Sequence, residues 1–155
     1  MRQKTVKKYL YEGLGFAIEL INVQMRLIHN EWHPIIDVKK IADIAIKKMI
    51  FQNERFSGNQ IKFIRTYFAM SLREFAKEVV RESHTSVAKW EKCGNNVTNM
   101  DINIEIMLRL YMYDKSCAGT PRQQNAFYKQ YHKLISLPFS SNPVHLSYEL
   151  LLSST

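Results

Sequence analysis

The 155-residue chain has only two cysteines, four prolines and five glycines. Two cysteines cannot build a disulfide framework. Cys93 and Cys117 also lack the C-x-x-C pairing of a zinc or redox site, so a reducing, cytoplasmic setting is expected. No run of about 18 uncharged apolar residues is present to span a bilayer. The opening MRQKTVKKYLYEGLG is basic without an apolar stretch, so it is not expected to act as a secretory signal. Acidic residues are in deficit, 14 Asp and Glu against 22 Lys and Arg, for a formal charge of +8. With 46% hydrophobic and 23% charged residues the composition is globular, which excludes collagen-like, low-complexity and wholly disordered chains. The basic surplus suits a polyanion, nucleic acid first and an anionic membrane surface second.

The N-terminal part reads as a small antiparallel sheet followed by one helix. Gly13-Leu14-Gly15 lacks the third glycine and following helix of a phosphate loop, and reads as a turn. Phe16, Ile18 and Leu20, then Val23, Met25 and Leu27, alternate with polar residues. That is strand periodicity with a phase slip at Ile21-Asn22, the mark of a bend or bulge. His29-Asn30-Glu31 is a turn candidate. Residues 32–36 can return only as an edge strand, because Pro34 has no amide to donate. Asp37 is placed to cap a helix whose apolar stripe is Val38, Ile41, Ala42, Ala45 and Met49, with Lys39, Lys40, Lys47 and Lys48 outside it.

Chemistry-bearing clusters are sparse. His29, Glu31 and His33 are the one metal lead. The Glu is not placed as in H-E-x-x-H, and Pro34 biases His33 away from helix, so no metal is expected. No Ser/His/Asp or Cys/His arrangement has local support, so neither a cofactor nor an enzymatic activity is expected.

The strongest signal lies in residues 57–92. It parses as three short helices, opening at Ser57-Gly58-Asn59, at Ser71 and at Ser83. The first is expected to bury Ile61, Ile64 and Phe68. In the second, Ser71 with Glu74 three residues on is a capping-box spacing, and Leu72, Phe75, Ala76 and Val79 make one apolar face. The third turns Val87 and Trp90 inward and leaves His84, Thr85, Ser86 and Lys89 polar. A helix meant for the major groove needs those two faces, an apolar anchor and an edge that hydrogen-bonds to bases. The charge coincides with the motif, since residues 57–93 carry seven basic and four acidic groups.

Ser71-Leu72-Arg73-Glu74-Phe75-Ala76 followed by Ser83-His84-Thr85-Ser86-Val87-Ala88-Lys89-Trp90-Glu91 resembles the helix-turn-helix of the Xre family, the lambda-repressor-like DNA-binding domain. The small residue of that family's second helix matches Ala76. Its buried recognition-helix aliphatic matches Val87, and its Trp-Glu ending matches Trp90-Glu91. Two departures stand out. Leu72 replaces a Gln that contacts phosphate in the family, and the turn Val79-Val80-Arg81-Glu82 has no glycine and runs one residue longer. A small N-terminal module before such a domain resembles HigA- and MqsA-type antitoxins. The zinc module of the latter needs paired cysteines that this region lacks.

The resemblance implies a mainly α fold, an Xre-type helix-turn-helix bundle with a small N-terminal β-hairpin plus helix. The expected division is 1–56 for that module, 57–115 for the DNA-binding domain and 116–155 for a partly helical extension. It implies a dimeric repressor on a palindromic operator in double-stranded DNA, with a toxin as a further partner if the protein is an antitoxin. His84, Thr85, Ser86 and Lys89, with Ser83 at the cap, are then expected at bases or adjacent phosphates, and Arg65, Arg73, Lys77 and Lys92 on the backbone. The alternative is a protein-interaction module that neutralises a toxin or binds another partner without specific DNA binding. Residues 99–113 read as a following helix, apolar almost all round and therefore buried by more than one neighbour, a second subunit among them. Two weaker patches follow, a helical one at 123–137 and an apolar one at 146–152.

Overall fold

The computed structural model describes residues 2–117, 129, 132–136 and 146–149. The chain divides into two compact units, Met1–Ala42 with His145–Thr155, and Asp43–Val144. The boundary therefore falls inside the first helix, not at 56/57.

The first unit is a sheet. β1 (Gln3–Tyr11) and β2 (Ile18–Ile28) pair antiparallel in one register from Gln3↔Arg26 to Tyr11↔Ile18, with the Lys7–Asn22 pair skipped. β3 (Glu31–Pro34) returns antiparallel on the other side of β2, and β4 (Leu146–Glu149) runs parallel on that same side, next to Ile18–Ile21. The β2–β3 connection is His29-Asn30, with φ 50° and 62°. Two left-handed residues are what a tight hairpin turn of the right twist requires. The phase slip is Asn22, which adopts φ 58°. Ile18 and Leu20 are buried before it and Val23 and Met25 after it, so one face of the strand stays in the core across the change of parity.

This sheet overturns the expected mainly α fold: the protein is mixed α/β. Two of its strands were illegible locally. β1 carries Lys4, Lys7 and Lys8, and its exposure gives no clean alternation. β4 pairs with β2 across more than a hundred residues of sequence, which no local periodicity reports.

α1 (Val38–Ile50) starts at Asp37, whose carboxylate accepts from the Lys40 amide at 3.2 Å. Ile41, Ala45, Ile46, Met49 and Ile50 are buried, whereas Val38 is 51% exposed because it lies in the first turn.

The second unit continues with α2 (Gly58–Tyr67), α3 (Leu72–Phe75), α4 (His84–Glu91) and α5 (Ile102–Cys117). Ser57 and Gln60 form a reciprocal capping box on α2, and the Ser71 hydroxyl accepts from the Glu74 amide at 3.1 Å. Phe56, Ile61, Ile64, Phe75, Val87, Leu108 and Met112 make the core. Phe68 is half-buried, edge-on to Tyr111 at 5.4 Å. Of the patch at 123–137, residues 129 and 132–135 are helical with Leu134 buried, and 136 is a turn; the remainder of that expectation, and residues 150–152, lie outside the described residues.

The extra residue of the turn has a specific home. α3 does not end at Phe75 but widens into a π-helical turn, Ala76–Val80, closed by the Arg81 and Glu82 amides on the Ala76 carbonyl. A π turn inserts one residue without breaking the helix. Arg81 then stops it in the left-handed conformation, φ 56° and ψ 42°, where a glycine is usual. A Cβ in that region costs about 1 kcal/mol. Arg81→Gly is expected to raise stability by that amount, read as a higher urea midpoint at unchanged slope.

Candidate nucleic-acid interface

The geometry starts from the cap of α4. Ser83 has extended backbone, and its hydroxyl accepts from the Ser86 amide at 3.1 Å and lies 3.0 Å from the Ser86 hydroxyl. Both hydroxyls are thereby engaged in starting the helix. On the inner side Val87 is fully buried and Trp90 nearly so. On the outer side His84, Thr85 and Lys89 are exposed, and none of their side chains makes a hydrogen bond or ion pair among the described residues.

Two shallow grooves flank this helix. One, about 280 Å³, is lined by Arg73, Ala76, Lys77, Glu82, Ser83 and His84. The other, about 330 Å³, is lined by Glu82, Ser86, Lys89, Trp90, Asn99, Asp101 and Ile104. Four of the residues expected at the interface, Arg73, Lys77, Ser83 and His84, thus gather where α3 meets the start of α4. Ser86 and Lys89 border the second groove. Lys92 is exposed at the far end, about 12 Å along α4 at 1.5 Å per residue. Tyr67 lies well back in the same unit, donating to Asp43 at 2.6 Å.

Arg65 is placed differently from the expectation. Its guanidinium clamps Glu91 through Nε at 2.8 Å and Nη2 at 3.0 Å, and a third bond reaches the Met70 carbonyl. The Glu91 hydrogen bond raises its pKa further above the usual arginine value. Both side chains are largely buried, so this cation is spent on joining α2 to α4. It orients the helix; a phosphate would have to displace Glu91 to reach it.

Residue reasoning missed Glu82, Asn99 and Asp101. Glu82 sits just before the α4 cap, where a carboxylate complements the helix dipole, and it reaches both grooves. Asp101 starts α5, accepting from the Asn103 amide at 2.8 Å.

A second missed feature lies behind the interface. In α5, Glu105 and Arg109 are fully buried one turn apart, bonded at 3.0 Å. Arg109 also donates to the carbonyls of Ile50, Gln52 and Glu54, and its charged plane lies 4.5 Å over the Phe56 ring. Glu105 takes the Phe56 amide and the Arg55 Nε, while Arg55 reaches the Met100 carbonyl as well. Burial pulls the Arg109 pKa below the usual arginine value, against the pull of Glu105. The network ties the 50–56 connector to α5. Opposite charges at i, i+4 inside an apolar helix were the available signal.

The metal lead dissolves into the hairpin. His29 is a turn residue, and His33 and Glu31 face one another at 3.8 Å in the open. Among the described residues no three His, Cys, Asp or Glu side chains cluster, and no helix is long and apolar enough to cross a membrane. Comparison of the chain with protein-family models, with curated proteins and with solved structures gives no match.

Proposed function

We propose that the Asp43–Val144 unit is a sequence-specific binder of double-stranded DNA, and that the protein is a cytoplasmic transcriptional repressor of the Xre helix-turn-helix kind. The observation that supports it most is the two-faced α4. Val87 and Trp90 hold the helix, while His84, Thr85 and Lys89 project from it beside the basic edge of α3. In this reading α4 lies in the major groove, with His84, Thr85 and Lys89 at base edges. Arg73 and Lys77 sit on the adjoining phosphates, where they displace counterions. Ser83 and Ser86 shape the helix start, the Ser86 amide closing on the Ser83 hydroxyl. A homodimer would place two such helices in successive grooves of a palindrome, about 34 Å apart, and block a promoter by occupancy. An antitoxin role is the finer form of the same reading, with the repressor also sequestering a toxin.

The experiment is selection of bound duplexes from random DNA, followed by anisotropy titration of the winner at fixed salt. Lys89→Ala is expected to weaken binding by about 1–3 kcal/mol and to relax one base position if it reads a base. Arg73→Ala should weaken all sequences alike and lower the log–log salt slope by about 1. Failure to enrich any sequence, together with a flat salt response, rejects the proposal in favour of a protein-interaction module.

A further inference from the structure

β1 is an edge strand. β2 occupies one side of it, and no strand among the described residues pairs with the other. It runs nine residues, Gln3–Tyr11, without proline, glycine or a left-handed residue. Long edges are templates for a further strand, and proteins commonly blunt them by shortening, bulging, proline or charge, lysine above all. β1 carries only the last of these, in Lys4, Lys7 and Lys8, which repels a cationic strand and admits an acidic one. At its start the Arg2 carbonyl accepts from the Leu27 amide at 3.2 Å. Backbone groups alternate sides along an antiparallel ladder, so those of Gln3 and Thr5 turn away from β2, up to Lys7, where the ladder skips the pair with Asn22.

The side chains beside this row are cationic and apolar. Lys4, Lys7 and Lys8 are exposed, and Leu10 is 61% exposed. Lys4 leans over the Trp32 ring at 4.3 Å, and Lys8 stands 3.9 Å from Glu19. Lys7 has no ion pair among the described residues.

We infer that the open edge of β1 is a docking site for an extended, acidic segment of another protein, added to the sheet as a further strand. The Gln3 and Thr5 backbone supplies the ladder, the Lys7 ammonium faces a carboxylate, and Leu10 is covered by an apolar side chain. A second copy of this chain is the poorer occupant. β1 against β1 brings two rows carrying Lys4, Lys7 and Lys8 together, and like charges across a ladder repel.

The test uses the full ¹⁵N-labelled protein and two synthetic peptides of about eight residues, matched to the strand, one alternating Thr/Val with Glu and one alternating Thr/Val with Lys. The Glu peptide is expected to bind and to slow amide exchange at Gln3 and Thr5, and the Lys peptide is not. Thr5→Pro removes an outward amide and leaves the β2 ladder intact, so affinity should fall about tenfold or more, a 1.4 kcal/mol loss. Lys7→Glu keeps every backbone group and should weaken the Glu peptide comparably, which guards against a misfolded proline variant. Equal binding of both peptides, or unchanged affinity in both variants, overturns the proposal. So does protection of these amides by duplex DNA or by raised protein concentration alone. All readouts lie in the Met1–Ala42 unit, so the result stands apart from the DNA experiment.

Discussion

Arg109→Ala is expected to destabilise the Asp43–Val144 unit by about 3–5 kcal/mol, the usual cost of removing one partner from a buried ion pair. The loss has several parts. Glu105, with no exposure, loses one of its two cations, each bound at 3.0 Å. The Ile50, Gln52 and Glu54 carbonyls lose their donors, and the Phe56 ring loses its cover. Arg55 remains on the other carboxylate oxygen, so the site is weakened but not left wholly unpaired. Domains of this size have about 5–15 kcal/mol in all, so the loss is a large fraction of the total. Urea denaturation followed by Trp90 fluorescence measures it. An apolar replacement of both partners, Glu105→Leu with Arg109→Met, should cost less than the two single changes added together, because no charge is then stranded. A single-variant loss below about 1 kcal/mol would place the pair in the class of surface bridges.

Gly58→Ala should have the second largest effect. A Cβ at residue 58 would collide with the Trp90 carbonyl oxygen and come within 2.8 Å of the Gly94 amide nitrogen and 2.9 Å of the Glu91 carbonyl oxygen. All three are backbone atoms, so no rotamer change relieves the crowding. α2 must back away from the end of α4, stretching the bonds from the Gly58 amide to Asn96 and from the Asn59 amide to Gly94. Overpacking of this kind costs about 1–3 kcal/mol, and more where the wall is rigid. Gly94→Ala is the control. Its Cβ meets open space, and only its positive φ of 61° is penalised, by about 1 kcal/mol. The two alanines should therefore separate in thermal midpoint. Only Gly58→Ala should also weaken the selected duplex below its melting range, because it tilts α4. Equal midpoints would show that α2 and α4 slide apart freely.

The helical part of the second unit was legible because its information is local. Ser57, Ser71 and Ser83 each accept the amide three residues on, and the stripes through Ile61 and Ile64 and through Val87 and Trp90 fall inside as their spacing requires. Asn22 was legible too, since a left-handed residue shifts the parity of a buried face and leaves a visible slip in the hydrophobic pattern. Arg65 shows where such reading stops. A cation on a helix face has the same sequence signature whether it meets solvent, a phosphate or Glu91, 26 residues away.

Composition, caps and period determined by themselves that α2 to α4 form, where each begins, and which side of α4 is apolar. Those properties depend on neighbours within about one or two helical turns. Tertiary structure alone decided the mixed α/β fold, the seat of β4 beside β2, the fate of Arg65 and the burial of Glu105 with Arg109. Each of these depends on which distant backbone or charge arrives in contact, and a low-dielectric interior rewards that meeting only after the chain has closed around it.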